Sequence, residues 1–295
     1  TLNLSKSEVS DYLYEKVSAL VDEYKIDYIK WDMNRDCHHP GYGTRAAMHL
    51  QTEAVYRLLD RLRKAFPRLE IESCSSGGGR ADYGVLRRTD RIWTSDNNDA
   101  RDRQRIQRGA SYFFPLRVLG SHVGPERCHV TGRRFTMEFR VATALFGHMG
   151  LELDLNRESE ADRAILAQGI ATYKTHRELL HLGVFHRVSS AAHANIVGVV
   201  SPDREEALFS YALLDSKPRT APERVFFKGL DPQADYRVKI IWPLTDPAVK
   251  RPSIVDAADF LGEGCVFSGA ALMEFGMQTP PLYPDSAVIY HLQEA

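Results

Sequence analysis

Two short segments combine residue types that could do chemistry together. Tyr28-Ile29-Lys30-Trp31-Asp32-Met33-Asn34-Arg35 runs from an apolar strand into a cluster of charged and amide side chains. Asp32 lies between two cations, Lys30 and Arg35, and nearby positive charge favours the ionised carboxylate that a nucleophile needs. Ile92-Trp93-Thr94-Ser95-Asp96-Asn97-Asn98-Asp99 repeats the pattern, with an apolar strand ending in Asp96. The two carboxylates are 64 residues apart. An eight-unit βα barrel spends about 31 residues per unit and carries its active site at the C-terminal ends of its strands. The interval therefore places Asp32 and Asp96 on one rim, two strands apart. Paired carboxylates on one rim suit glycosidic bond cleavage. The plainer reading of the first segment is a strand-to-loop exit with a salt bridge.

Between them lies Ile71-Glu72-Ser73-Cys74-Ser75-Ser76-Gly77-Gly78-Gly79-Arg80. It fits neither of the common phosphate-loop spacings. Its glycines, Gly77 among them, read instead as a backbone cradle that lets a ligand approach closely. Cys74 falls at a strand end, one unit from each Asp, as a buried thiol or a ligand contact. Trp31 and Trp93 either stack on a sugar ring or pack in the rim. Asp99 and Asp102 follow closely and read as charge at a helix N-terminus. Cys37-His38-His39, with Cys128-His129, suggests a metal cluster, but the spacing matches no standard zinc pattern. These are read as loop residues facing the mouth of the site, and no metal is expected.

The elements that must position these residues alternate. Helical spacing covers Leu4 to Tyr24, capped by Ser5 or Ser7, then Thr44 to Ala65, Gln104 to Val118, Phe135 to His148 and Ser159 to Leu182. Strand patterns cover Ile26 to Trp31, Leu69 to Cys74, Arg91 to Ser95, Leu119 to Val123 and Gly150 to Leu155. About five βα repeats point to a parallel sheet or barrel. After Gly183 the pattern changes to short strands separated by turns: Ile196–Val200, Ala207–Leu214, Arg224–Lys228, Tyr236–Ile241, Val266–Phe267, Leu272–Phe275 and Val288–Leu292. That pattern suggests an antiparallel sandwich. The reading is an α/β segment over 1–186 and a β-sandwich domain over 187–295. Nothing in the second domain groups titratable residues for chemistry.

Composition sets limits. The 295 residues carry 38 Lys and Arg against 39 Asp and Glu, a formal charge of −1. A nucleic-acid binder usually shows a basic excess, which is missing here. Hydrophobic residues at 43% allow a sizeable core. Four cysteines do not make a disulfide scaffold. No apolar run approaches the length of a membrane span, so neither membrane nor nucleic acid is expected as a partner.

Three segments together resemble glycoside hydrolase family 36, the bacterial α-galactosidases. Lys-Trp-Asp-Met-Asn-Arg at 30–35 is similar to that family's nucleophile motif. Cys-Ser-Ser-Gly-Gly-Gly-Arg at 74–80 is similar to its glycine-rich substrate loop, and Ser-Asp-Asn at 95–97 to its acid/base motif, with Asn98 where Thr is expected. The resemblance implies the second part of a (β/α)8 barrel, about strands 4–8, followed by the C-terminal β domain. It implies Asp32 as nucleophile and Asp96 as general acid/base. Lys30, Trp31, Asn34, Arg35, Cys74, Gly77 and Trp93 become the substrate-binding set. The implied reaction is retaining hydrolysis of terminal α-D-galactosides of the melibiose and raffinose type, without metal or organic cofactor. It also implies a cytoplasmic protein that forms a homo-oligomer at full length. Because the first barrel strands are missing, the chain reads as a fragment, or as one piece that associates with the missing N-terminal half. Alternatives are an α-N-acetylgalactosaminidase or transglycosylase using the same site, or a fragment that is non-catalytic without that half.

Overall fold

A computed structural model describes residues 2–36, 46–216, 224–244 and 260–295. The chain forms two compact units, Thr1–Asp96 and Asn97–Ala295. The first unit contains α1 (Ser7–Tyr24), β1 (Tyr28–Trp31), α2 (Ala47–Ala65), β2 (Glu70–Ser73), the single turn α3 (Tyr83–Leu86) and β3 (Arg91–Trp93). Its strands are parallel and run in the order β1-β2-β3. Lys6, rather than Ser5 or Ser7, occupies the N-cap of α1, with no side-chain cap. In α2 the residues Ala54, Val55, Leu58, Leu59 and Leu62 form a buried stripe of helical period. Most of that stripe packs with Ile71, Val85 and Val21 into one core. Burying each Leu there contributes about 1.5–3 kcal/mol.

In the second unit, α4 (Ala100–Ala110) is followed by a 3-10 turn at Leu116–Val118, β4 (Leu119–Val123), α5 (Met137–Ala144), β5 (His148–Leu151) and α6 (Glu160–Leu182). The helix expected over Gln104 to Val118 thus starts earlier and ends before Pro115, which cannot continue it. β4 and β5 are parallel, which gives five parallel strands among the described residues. A barrel segment is the arrangement that βα repeats of this kind build.

The rest of this unit is antiparallel. β6 (Val184–Ala191), β7 (Ala194–Val200), β8 (Glu206–Leu213), β10 (Asp235–Trp242), β11 (Cys265–Ser268) and β13 (Ser286–Glu294) form one sheet in the order β11-β10-β13-β8-β7-β6. β9 (Arg224–Val225) and β12 (Met277–Gln278) form a small second sheet. The sandwich therefore has very unequal layers. Leu272–Phe275, expected as a strand, falls mostly in a short helix, α7 (Gly269–Glu274), capped by the Ser268 side chain. Serine at that place accepts a free helix-end N–H, and this cap outweighs a four-residue apolar run. β6 had no expectation, because its residues follow α6 directly.

Alternation sorts the large sheet into two faces. Phe209, Tyr211 and Leu213 of β8 and Val288, Tyr290 and Leu292 of β13 enter the core shared with Val225, Phe227 and Leu272. The opposite face meets helices: α5 packs on β13, and α6 on β7 and β8. A bulge between Ile240 and Trp242 shifts the register of β10 against β13. A bulge turns subsequent side chains to the other face. Trp242 accordingly leaves the shared core and donates its Nε1–H to the Glu138 carbonyl at 2.8 Å. Within α5, Arg140 makes a buried two-pronged ion pair with Glu158 at 3.0–3.1 Å. No helix of the described residues is long and apolar enough to cross a membrane.

Candidate active site

Parallel pairing brings the strand ends level. Trp31 is in register with Ser73, and Ser73 with Ile92. Asp32, Cys74 and Trp93 are therefore the next residues at one level of three neighbouring strands. The 64-residue interval does span two strand units, with Asp32 at the exit of β1 and Asp96 just beyond β3.

Asp32 is held by its neighbours. Its Oδ1 accepts the Met33 N–H at 2.8 Å, and its Oδ2 accepts Asn34 Nδ2–H at 2.7 Å. Partial burial pushes its carboxyl up. Hydrogen bonds from the Cys74 thiol, Asn34 and the Met33 amide, helped by the charge of Lys30, outweigh that and leave it below the usual carboxylate range. The ionised state expected for Asp32 thus rests first on hydrogen bonds, with Lys30 as a secondary charge. Arg35 instead lines a neighbouring cavity of about 720 Å³ together with Lys30, Trp31, Asp32 and Asn34.

Cys74 has no exposed surface. Burial, with the Asp32 contact, pushes its thiol up to about 11, so it stays a neutral donor. It supports Asp32 and presents nothing to the mouth of the site. Asn34 is likewise engaged at both ends, since its Oδ1 accepts the Ser76 N–H at 2.7 Å. It bridges the β1 exit to the glycine loop. Ser75 Oγ–H donates to the Met33 carbonyl at 2.7 Å, and Arg80 donates to the Trp31 and Cys74 carbonyls at 2.7 and 2.8 Å. Arg80 and Ser75 are site residues that the sequence reading does not single out. Their signal was present, because both belong to the 74–80 motif.

The glycine loop has a different use from the one expected. Gly77 has φ +83, and a Cβ there would stand 2.5 Å from Ser95 Cα. The Gly78 N–H donates to the Thr94 carbonyl at 3.2 Å. The loop lies flat on the backbone that leads into Asp96, so its lack of side chains serves a protein contact. Trp93 also differs from expectation. It is completely buried, leaving no face for a sugar to stack on. Its Nε1–H donates to Asp96 Oδ1 at 3.0 Å, and Lys30 Nζ sits 5.0 Å from its ring centroid. Asp96 itself is exposed.

Beyond Asp96, Asp99 is the N-cap of α4 and accepts the Arg101 and Asp102 N–H groups. Arg133 bonds to both Asp99 and Asp102 at 2.7 Å. These carboxylates serve the helix end, as expected, and also an ion pair that was not anticipated. Asn98 is buried next to Gly124, and its amide makes no hydrogen bond among the described residues. Cys128 is buried with its Sγ 3.7 Å from Asn97 Oδ1. Cys37, His38 and His39 lie outside the described residues. One cluster escaped the sequence reading: His176, Glu206 and His291 converge in the second unit. They are far apart in sequence, so only the fold shows it.

Known proteins resemble this chain in sequence and fold. The Melibiase family pattern matches residues 1–183, and that of the glycosyl hydrolase family 36 C-terminal domain matches 194–292. An α-galactosidase of Escherichia coli is 42% identical over 300 residues, covering all of this chain and 42% of that protein. The crystal structure of the family 36 α-galactosidase AgaB of Geobacillus stearothermophilus superposes with a TM-score of 0.87 at 32% identity, covering all of this chain and 39% of the other. A variant of α-galactosidase AgaA from the same organism, solved in complex with raffinose, gives 0.87 at 30% identity over the same shares. The chain thus spans about two fifths of the length of these relatives. With both halves matched in order and identity above 40% along its whole length, the chain belongs to glycoside hydrolase family 36, the melibiases.

Proposed function

We propose that the protein carrying this chain hydrolyses terminal α-D-galactosides, raffinose-type sugars included, with retention of configuration. The observation that supports this most is the pair of carboxylates at the exits of β1 and β3, one of them held ionised by three hydrogen bonds. Asp32 attacks the anomeric carbon, and the bond to the leaving oxygen breaks as the galactosyl ester forms. Asp96 gives its proton to that oxygen, then takes one from the water that cleaves the ester. The Trp93 indole aims Asp96. Cys74 and Asn34 aim Asp32 and keep it charged. Lys30, Trp31 and Arg35, facing the cavity beside Asp32, are the side chains placed to meet substrate.

The barrel segment is assigned to 1–186 and the C-terminal domain to 187–295, in keeping with the break between the two matched patterns. A cytoplasmic location and assembly with further barrel strands belong to the same proposal. The test uses the natural full-length protein and a nitrophenyl α-galactoside. Asp32→Ala should abolish turnover. Asp96→Ala should spare the first step with good leaving groups and recover rate with azide. Activity of Asp32→Ala within a few-fold of the parent would sink the nucleophile assignment, whereas faster cleavage of the N-acetylgalactosaminide would move the substrate class.

A further inference from the structure

The cluster that sequence reading missed lies on the helix-facing side of the large antiparallel sheet. Phe209 and Tyr211 of β8 point into the shared core, so Glu206, of the opposite parity, points towards the helices. On β13, Tyr290 and Leu292 enter that core, and His291 between them faces the helices too. Glu206 pairs with Gln293 and His291 with Leu208 across the antiparallel ladder, which makes Glu206 and His291 diagonal neighbours. α6 covers this face, and His176 lies on its buried stripe with Gly169, Tyr173 and Leu180. Three elements thus bring three metal-binding side chains to one point.

We propose that His176, Glu206 and His291 bind a zinc-class divalent ion. His176 Nδ1 and His291 Nε2 lie 3.2 and 2.8 Å from the same oxygen, Glu206 Oε1. The ligand atoms all fall within 4.8 Å of one another. Tetrahedral zinc with bonds of about 2.0–2.2 Å sets its ligands roughly 3.3–3.6 Å apart, so the ion needs the two nitrogens to move slightly away from the shared oxygen. The rings are 4.9 Å apart and inclined at 51°, fanned around the oxygen with neither stacked on the other. Two imidazoles and a carboxylate are a borderline-soft donor set that suits zinc better than magnesium or calcium. The side chains are 13, 33 and 20% exposed for His176, Glu206 and His291. That leaves a fourth position open to water. Glu206 is anchored from behind, its N–H donating to Ser201 Oγ at 3.0 Å and its carbonyl accepting the Ser201 N–H at 2.8 Å. The ion would tie α6 to β8 and β13. It has no part in the chemistry at Asp32 and Asp96.

The test is zinc binding by metal-stripped protein, measured by equilibrium dialysis with elemental analysis. The result expected is one zinc per chain and a Tm that rises with zinc concentration. His176→Gln and His291→Gln should each weaken binding about a hundredfold, at or beyond the upper end of what losing a supporting residue costs. Their Tm without zinc reports whether they fold. Cobalt substitution should give a tetrahedral spectrum without a thiolate charge-transfer band, which separates this site from the cysteines. No stoichiometric zinc, or zinc bound equally well by a folded His291→Gln variant, would reduce the cluster to a hydrogen-bonded bridge and overturn the proposal.

Discussion

Replacing Gly77 with alanine tests how the glycine loop sets Asp96. The residue has φ +83, where an L side chain costs about 1–2 kcal/mol. The added Cβ would lie 2.5 Å from Ser95 Cα, against an ordinary contact of at least 3.4 Å, so about 0.9 Å must be made up. The obstacle is backbone and cannot rotate away, unlike the end of a flexible side chain. The motion passes to Ser95 and directly to Asp96. A misplacement of about 1 Å at a reacting group costs on the order of 100-fold in rate. Gly77→Ala should therefore lower kcat on a nitrophenyl α-galactoside about 100-fold, with a loss of stability of roughly 1–3 kcal/mol. Steady-state kinetics and urea unfolding on the same preparation read both. Gly109→Ala is the control: a Cβ there meets nothing within 4 Å, so activity should be unchanged and stability equal or higher by about 0.5–1 kcal/mol. A folded Gly77→Ala protein with kcat within threefold of the parent would refute the claim that this contact places Asp96.

Asn34→Ala removes a hydrogen bond that stabilises ionised Asp32, so its pKa should rise and the acid limb of kcat/KM should move to higher pH; an unmoved limb would show that Asn34 does not tune the carboxylate. The depressed Asp32 pKa also adds stability above the unfolded carboxylate range, lost as pH falls through the folded value, and the variant should show less of this loss. Arg140→Ala strands buried Glu158 and should cost about 3–5 kcal/mol in urea unfolding, while the double variant Arg140→Met/Glu158→Leu should recover most of it.

Much of this fold was legible because its signals are local. The stripe in α2, the Ser159 cap of α6 and the turn-bounded strands each follow from residues within one turn or one ladder of each other. Leu272–Phe275 misled because its capping residue, Ser268, lies outside the apolar run. At the site, Asp32, Asp96 and the 74–80 loop stood out as polar residues on apolar strands. What each neighbour does was not legible. Cys74 and Trp93 looked like ligand contacts, yet burial turns both towards the carboxylates. Gly77 looked like a cradle for ligand, and its positive φ and the nearness of Ser95 exist only in three dimensions. The grouping of His176 with Glu206 and His291 depends on sheet parity and helix packing together.

The central claim is that Asp32 is the nucleophile of a double displacement. It is tested most directly by trapping the natural full-length protein with a 5-fluoro-galactosyl fluoride, digesting it and mapping the labelled peptide by mass spectrometry. The account predicts one galactosyl ester, carried by Asp32, and NMR of early product showing the α-anomer. A label on another residue, or β-galactose released first, would contradict it.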